Sequence, residues 1–223
     1  MKSSTLKIVL FVGFVMAMVI VPFLIFGAQL ESAVLPWLES REQQVGLLTV
    51  VGILLLSADS VAPVPATVVI MFLAWKGGWP AGIIGGTIGM SLGVLAAGWL
   101  GREAVGRIAP KFIPDAELAR LRDALQRRLV LTLACLRSVP VMAETSVIVA
   151  AAAGVPVRKI FWATVLPNFV VAVIYSAAAA TSRSVQDSGT TAAITFFATM
   201  VLSYAVWRIF SRTERVKTIA PPL

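Results

Sequence analysis

The sequence predicts an all-α integral membrane protein with about four transmembrane helices and two oppositely oriented re-entrant helical hairpins. Of the 223 residues, 58% are hydrophobic and 13% are charged, whereas soluble domains carry about a quarter charged residues. Uncharged runs of about 20 residues, each enough for one span, alternate with two apolar runs of about 30 residues, which fit neither one span nor two. Basic residues cluster at the ends of these runs, as they do beside a cytoplasmic leaflet.

The composition also argues against several classes of function. The chain has no histidine and a single cysteine, Cys135, so it lacks the commonest general base and metal ligand and can form no intramolecular disulfide. The sequence also offers no recognisable nucleophile–base pair. We therefore expect no enzyme, no catalytic residue, no metal and no cofactor. The net charge of +8 lies at segment ends rather than in a soluble basic domain, so we expect no nucleic acid partner.

Residues 1–45 are predicted to form an N-terminal transmembrane helix and an external loop. Lys2 and Lys7 precede residues 8–28, an uncharged run of the length of one span. A cleaved signal peptide is the alternative, but its apolar region would be roughly 7–15 residues long. The loop, residues 29–45, is net negative and poor in lysine and arginine, which favours the outside.

Residues 46–181 are predicted to form the core, which begins with the first long apolar run. Asp59, Pro63 and Pro65 interrupt this run at residues 46–75. Its length favours a re-entrant hairpin with the two prolines near the tip, where backbone groups must find partners in the protein or in water. Thr67 follows the tip and is a candidate path-lining residue.

The next span, residues 81–100, carries a stripe of small residues. Gly85, Gly89 and Gly93 recur every fourth residue, which predicts that another helix packs closely against this face. Residues 101–128 are the most polar part of the chain, with seven basic residues and four acids. A helix start at Pro114 to Glu117 and a leucine stripe predict a helix lying on the cytoplasmic membrane surface; a solvated helix with no further role is equally acceptable. The stripe comprises Leu118, Leu121 and Leu125.

The second long apolar run, residues 129–157, carries Arg137, Pro140 and Glu144. Charges inside a membrane segment are expensive and usually face a partner, water or a substrate. We expect a second hairpin with Pro140 at its tip. A span at residues 160–180 follows, and it contains Asn168, for which a structural role is favoured over lining the transport path.

Residues 182–223 are predicted to form a C-terminal transmembrane helix and a basic cytoplasmic tail. With four spans and two hairpins, both termini and residues 101–128 lie in the cytoplasm. Arg41, Lys76 and Arg183 then lie outside, and Arg137 lies in the membrane. With six full spans the basic loop would lie outside, so the positive-inside rule prefers the first arrangement.

The two long runs resemble each other. Residues 62–80 and 138–156 each begin with a proline-containing tip, continue through mostly apolar residues and end in Gly-X-Pro. Since one hairpin would enter from outside and the other from the cytoplasm, they predict an inverted repeat, which in transporters places the site near the membrane midplane. Chance similarity between apolar segments is the alternative.

In these features the chain resembles the DedA family, whose core is the VTT (SNARE-associated) domain. The resemblance covers about residues 55–180. It rests on residues 59–65 (DSVAPVP), an acid followed by Pro-X-Pro; on a glycine-rich span that ends at residues 98–102 (GWLGR); and on residues 137–141 (RSVPV), followed by Gly154 and Phe161.

The resemblance implies a lipid transporter of the bacterial cytoplasmic membrane. Members of the family are described as flippases or scramblases, notably of undecaprenyl phosphate or phospholipids, and coupling to protons or to the membrane potential has been proposed for them. This sequence departs from the family at three places: Asp59 stands where glutamate is common, Thr67 where many members have a second acid, and Ala143 where many have a second arginine, followed here by Glu144.

Arg137 is the candidate contact for a lipid phosphate, because guanidinium presents a planar fork of donors and stays charged in a poor dielectric. Asp59 and Glu144 would balance its charge in the empty site, and either could carry a proton because burial favours the neutral form of a carboxyl. Asp59 is the expected partner of Arg137. The structural alternative is an ion pair that only holds the two hairpins together.

Two other functions remain open at this point. A proton-coupled transporter of small cations would use the same carboxylates, and a membrane assembly factor would transport nothing. Membrane lipids are the expected partners, with anionic headgroups at the basic cytoplasmic loops. The oligomeric state, including a homo-oligomer, is left open by the sequence.

Overall fold

The computed structural model describes residues 7–18, 44–59, 64–137 and 142–181, together with the single residues 20, 21, 25, 197, 201 and 208. The regular secondary structure of these residues is helical throughout, which confirms the all-α class. Two segments, Ala66–Phe112 and Val157–Ala180, are long and apolar enough to cross a membrane. Most of the predicted C-terminal span, most of the predicted external loop, Pro63 and Pro140 lie outside the described residues.

The helices are α1 (Lys7–Met18), α2 (Val45–Ala58), α3 (Ala66–Leu100), a π-helix (Gly101–Val105), α4 (Gly106–Phe112), α5 (Asp115–Arg127), α6 (Leu129–Arg137), α7 (Met142–Ala152) and α8 (Val157–Thr181). The chain passes from α3 through the π-helix into α4 without interruption. A sharp bend divides α3 at Gly78, whose φ of 77° is accessible mainly to glycine.

The bend at Gly78 makes residues 66–77 fold back on the rest of α3. The α-carbon of Gly82 lies beside Ala74, and that of Gly86 beside Ile70, so the two parts of α3 run antiparallel. Helix α2 also runs antiparallel to residues 66–77, because Val45 at its start lies beside Gly77. The two ends of this helical hairpin therefore lie at the same end of the long part of α3.

The second half of the chain repeats this order of elements. Two short helices, α6 and α7, precede a glycine with positive φ and then the long helix α8. At the end of α7 the Val155 N–H donates to the Ala150 carbonyl, and the Gly154 N–H donates to the Ala151 carbonyl, both at 3.0 Å. This is a Schellman ending, in which Gly154 supplies the left-handed conformation with φ 89°. Gly78 and Gly154 are thus each the first residue of a Gly-X-Pro element that leads into a long helix.

Helices α3 and α8 cross in antiparallel directions at the centre of the molecule. Gly82 lies beside Ser176, Gly86 beside Ala172, and Gly98 beside Val157 near the start of α8. Midway between these contacts, the buried Asn168 Nδ2 donates to Ser91 Oγ at 3.1 Å. Two apolar clusters flank this crossing. One joins α2 and the start of α3 to α8, and the other joins α1, α6 and α7 to the far end of α3.

The stripe of glycines on α3 packs against α2. A Cβ placed on Gly85 would touch Thr49 and Leu73, one on Gly89 would lie 2.7 Å from Leu56 Cβ, and one on Gly93 would lie 2.8 Å from the Leu56 carbonyl oxygen. The face of α3 away from α2 exposes a second stripe of apolar side chains between two exposed tryptophans, Trp79 and Trp99. This stripe comprises Ile84, Ile88, Leu92 and Leu95.

Helix α5 begins at Asp115, as predicted, but its leucine stripe does not face away from the protein. Leu118 is buried in the cluster around α6 and α7, and Leu121 and Leu125 pack against the same cluster. The prediction that the leucine face lies on the membrane surface is therefore wrong, because this face packs against the protein core. An amphipathic leucine pattern is satisfied equally well by burial against a protein core.

Replacement of Gly89 by alanine is expected to destabilise the protein by about 1–3 kcal/mol, because the added methyl would overlap the Leu56 Cβ and a Cβ leaves the helix in a fixed direction. Thermal unfolding in detergent micelles measures the effect. Gly46→Ala is the matched control, since a Cβ there meets nothing within 4 Å. Equal unfolding temperatures for the two variants would show that α2 and α3 are not in close contact.

Candidate functional site

The described ends of the two hairpins meet at one pocket. It is lined by Leu56, Asp59, Met90, Gly93, Val94, Ala97, Arg137, Glu144 and Val147. Its enclosed space is about 10 Å³, which is about what a single water molecule needs, so a larger group can enter only if the lining side chains move apart.

Asp59 reaches the pocket from the end of α2. Its Oδ1 accepts a hydrogen bond from the backbone N–H of Val64 at 3.1 Å. This bond closes the connection between α2 and α3 and satisfies a backbone donor that precedes the first turn of α3. A carboxylate has about four acceptor positions, so Asp59 retains capacity for a second partner in the pocket.

Arg137 is the last residue of α6, where a positive charge is favourable beside the helix C-terminus. Its side chain is 7% exposed. Nη2 donates to the Met90 carbonyl oxygen at 3.4 Å, and Nη1 lies 3.9 Å from Glu144 Oε1. Both contacts with these described residues are long, because charge-assisted hydrogen bonds are about 2.7–2.9 Å. The guanidinium has five donors, and neither of these two contacts is a short hydrogen bond.

Glu144 lies in the first turn of α7, where the helix N-terminus favours a negative charge. Its side chain is 17% exposed. The ion pair that Arg137 forms within 4 Å is with Glu144, whereas Asp59, the partner expected from the sequence, lines the same pocket without such a pair among the described contacts. Glu144 is close because α6 and α7 pack against each other.

The other predicted site residues lie at or beyond the pocket's edge. Pro65 precedes the first residue of α3, and its carbonyl oxygen accepts from the Val69 N–H at 3.2 Å. Thr67 lies in the first turn of α3 and is not among the described lining residues. Asn168 is also not among them, and it joins α8 to α3 through Ser91. Of the glycine stripe, Gly93 both packs on α2 and lines the pocket.

The charges of the pocket comprise one guanidinium and two carboxylates, on a wall that is otherwise apolar. Among the residues that the structure describes, no group of three or more His, Cys, Asp or Glu is arranged to hold a metal ion. The pocket can thus bind a group with an anionic part on Arg137 and a cationic or donor part on the carboxylates.

Sequence reasoning missed the apolar lining and the Met90 carbonyl. Leu56, Met90 and Val147 could not be singled out from the sequence, because the apolar residues of a hydrophobic segment all fit the same pattern. Met90 lies between Gly89 and Gly93, which let α2 approach α3, and its carbonyl oxygen accepts from Arg137. The glycine stripe was therefore the available signal that this part of α3 is closely packed beside the site.

Comparison of the chain with family models, with curated proteins and with solved structures finds no match in any of the three. The site is therefore interpreted from its own geometry.

Neutralising one pocket carboxylate at a time is expected to change the stability of the protein little, whereas neutralising both is expected to destabilise it. In Asp59→Asn or Glu144→Gln the remaining carboxylate still compensates the guanidinium, and each is expected to cost less than about 1 kcal/mol. The double variant leaves a buried guanidinium without a carboxylate and is expected to cost about 3–5 kcal/mol. Denaturant unfolding in mixed micelles measures all three against Glu103→Gln, a carboxylate in an exposed pair with Arg107.

Additive effects in that series would mean that the two carboxylates act independently, and the shared compensation of Arg137 would be refuted.

Proposed function

We propose that the protein is a DedA-like membrane lipid transporter, of the flippase or scramblase kind, which moves a phosphate-bearing lipid through the pocket between its two hairpins. The observation that carries this proposal is the guanidinium of Arg137, nearly buried at the pocket, whose contacts with the described residues Met90 and Glu144 are 3.4 and 3.9 Å long. A buried charge with such loose contacts is available to a stronger anionic ligand, and phosphate oxygens match the guanidinium fork.

A membrane location is supported by the surface of α3. Trp79 and Trp99 are both exposed, and their separation along the helix corresponds to about 30 Å, the thickness of the hydrocarbon core. Exposed apolar side chains fill the distance between them. Tryptophans at both ends of an apolar stripe are typical of a transmembrane helix. Trp162, Leu166 and Phe169 form a similar exposed face on α8.

The short helices support re-entrant hairpins. The 14 residues of α2 rise about 21 Å, and residues 66–77 rise about 18 Å, so neither crosses a bilayer alone. The two ends of the hairpin lie together, as required of a segment that enters and leaves on one side. The second half has the same order of elements, and its long helix runs antiparallel to that of the first. An inverted repeat accounts for both facts.

In this arrangement the protein has about four spans, with both termini and α5 in the cytoplasm of a bacterium and the pocket near the midplane of its cytoplasmic membrane. The resemblance of residues 59–65, 98–102 and 137–141 to the DedA family supports the same assignment. The predicted transmembrane helices at the two chain ends complete the count.

In this mechanism only the headgroup enters the protein. The enclosed space of the pocket, about 10 Å³, is far smaller than a lipid, so the lining side chains would move apart to admit the headgroup, and the acyl or prenyl chains would remain in the lipid beside the exposed faces of α3 and α8. The phosphate would replace Glu144 on Arg137, and the protein would thereby replace part of the hydration that the headgroup loses in the membrane. The apolar side chains around the charges lower the local dielectric, which strengthens this contact.

Replacement of Arg137 by alanine is expected to reduce lipid translocation in proteoliposomes by at least about tenfold, because a hydrogen-bonded charge contributes about 1.5–3 kcal/mol. Arg137→Lys retains the charge without the planar fork and is expected to keep an intermediate rate. Arg107→Ala, in an exposed pair with Glu103, is the control and is expected to leave the rate unchanged.

The same assay separates the other two functions. A cation transporter would give proton-coupled cation flux without lipid movement, and an assembly factor would give neither. Full lipid translocation by a folded Arg137→Ala protein would refute the assignment of the site.

A further inference from the structure

We propose that the short helix α4 is an interfacial helix, which seats Ile108 and Phe112 among the acyl chains of the cytoplasmic leaflet and uses Lys111 and Arg102 to hold anionic lipids there. These lipids form a surface on which the protein rests and are not its cargo, because none of the described pocket-lining residues belongs to the π-helix or to α4. The inference shares with the proposed function the membrane location of the chain and the cytoplasmic side of this segment. It does not depend on lipid transport.

The segment that comprises the π-helix and α4 has a buried face and, beside it, an apolar exposed flank. Val105, Ala109 and Ile113 recur every fourth residue and are buried in the cluster around α6 and α7. Ile108 and Phe112 are also four residues apart, but both are exposed. Two large apolar side chains one turn apart, on a helix whose other apolar face is already covered by the protein, indicate a second apolar contact.

Basic side chains lie next to this flank. Lys111 is exposed, and it follows Ile108 by three residues, so the two side chains are neighbours on the helix surface. Arg107 is engaged by Glu103, with 2.6 Å between Nη2 and Oε2, whereas the Arg102 Nε lies 4.0 Å from the same carboxylate. Since the segment has three basic residues and one acid, its net charge is positive, and Lys111 and Arg102 carry the excess.

The apolar flank of α4 continues onto α1. The rings of Phe112 and Phe14 stack with their centroids 6.2 Å apart and their planes 23° apart. Both rings remain about half exposed, at 52% and 49%, and Leu10, one turn before Phe14, is exposed as well. Because α1 belongs to the predicted N-terminal transmembrane helix, its exposed apolar face contacts lipid, and Phe112 lies in the same surface.

The position of this contact along α1 matches the depth of an interfacial helix. Phe14 follows Lys7, the first residue of α1, by seven residues, which corresponds to about 10 Å along the helix. Interfacial helices bury their apolar face about 5–10 Å below the headgroups. The flexible stem of Lys111 allows its ammonium to reach the phosphates while Phe112 stays in the acyl chains. A π-helix, a feature at which long helices often bend, separates α4 from α3.

A lipid surface fits this face better than an acidic soluble protein does. An acidic protein would match the charges, but it would have to cover apolar side chains that continue onto a transmembrane helix. A leaflet with anionic lipids matches both, because acyl chains take the flank and the negative surface attracts the basic residues. Each basic residue near such a surface contributes about 1 kcal/mol, which is about fivefold in affinity.

The first experiment measures which solvent surrounds α4. The full chain carries Cys135→Ala, which removes its single cysteine, and one new cysteine labelled with an environment-sensitive fluorophore. The labelled variants are Ile108→Cys and Phe112→Cys, with Ile88→Cys on the exposed stripe of α3 as the lipid reference and Arg120→Cys on the exposed side of α5 as the aqueous reference. In proteoliposomes, we expect labels at 108, 112 and 88 to be quenched by lipids with nitroxide-bearing chains, and the label at 120 to be quenched by iodide.

The second experiment compares two nitroxide-bearing lipids as quenchers of the label at 108. We expect phosphatidylglycerol to bind beside it at least about fivefold more strongly than phosphatidylcholine. Lys111→Gln is expected to lower this ratio about fivefold, and Lys111→Arg is expected to keep it, because the positive charge is retained. Arg120→Gln, which removes one exposed positive charge from α5, is the matched control and is expected to keep the ratio.

The outcomes separate this inference from the proposed function. Quenching of 108 and 112 by iodide alone, with lipid quenching at 88, would leave α4 in water, as expected for a face that binds a soluble partner, and would overturn the inference. Equal quenching by the two lipids, or a preference that Lys111→Gln does not change, would also overturn it. If the unaltered chain translocates no lipid in the same proteoliposomes, the proposed function fails while the placement of α4 stands. Without lipid quenching at 88, the membrane location fails, and both proposals fail with it.

Discussion

Burial of the Arg137 guanidinium is the most demanding requirement that this chain has to meet. Removing such an ion from water costs several kcal/mol even after the protein relaxes, and the side chain is 7% exposed. The chain meets this requirement with opposite charges from both hairpins, with the Met90 carbonyl and with the C-terminal end of α6. The guanidinium's contacts with the described residues Met90 and Glu144 are 3.4 and 3.9 Å long. The charge is therefore compensated inside the protein by contacts that are longer than a charge-assisted hydrogen bond.

The rest of the fold positions these groups. Short helices end at the pocket. Asp59 directly follows α2, Arg137 is the last residue of α6, and Glu144 lies in the first turn of α7. The glycines of α3 bring α2 close enough for Asp59 to reach the site. The Asn168–Ser91 hydrogen bond joins the two long helices beside Met90. Gly78 and Gly154 lie at corresponding points of the two halves, and residues from the ends of both hairpins line the same pocket.

Much of this could be predicted from the sequence because it depends on local properties. The helical class follows from the apolar runs, the two Gly-X-Pro elements mark where short helices give way to long ones, and Arg137, Asp59 and Glu144 stand out as charges in apolar surroundings. What could not be predicted depends on tertiary packing. The leucine stripe of α5 fits a membrane surface and a protein core equally well, and the choice of the core needs the partner cluster. Tertiary packing likewise decides that Glu144 lies within 4 Å of Arg137 and that the Met90 carbonyl accepts from it.

The most direct test of the central claim is a structure of the protein in nanodiscs that contain phospholipids. The account predicts a phosphate within about 2.7–2.9 Å of the Arg137 guanidinium nitrogens, with Glu144 moved away from its present 3.9 Å contact. A closed pocket in which Arg137 and Glu144 form a short hydrogen-bonded pair, with lipid only on the outer faces of α3 and α8, would contradict it.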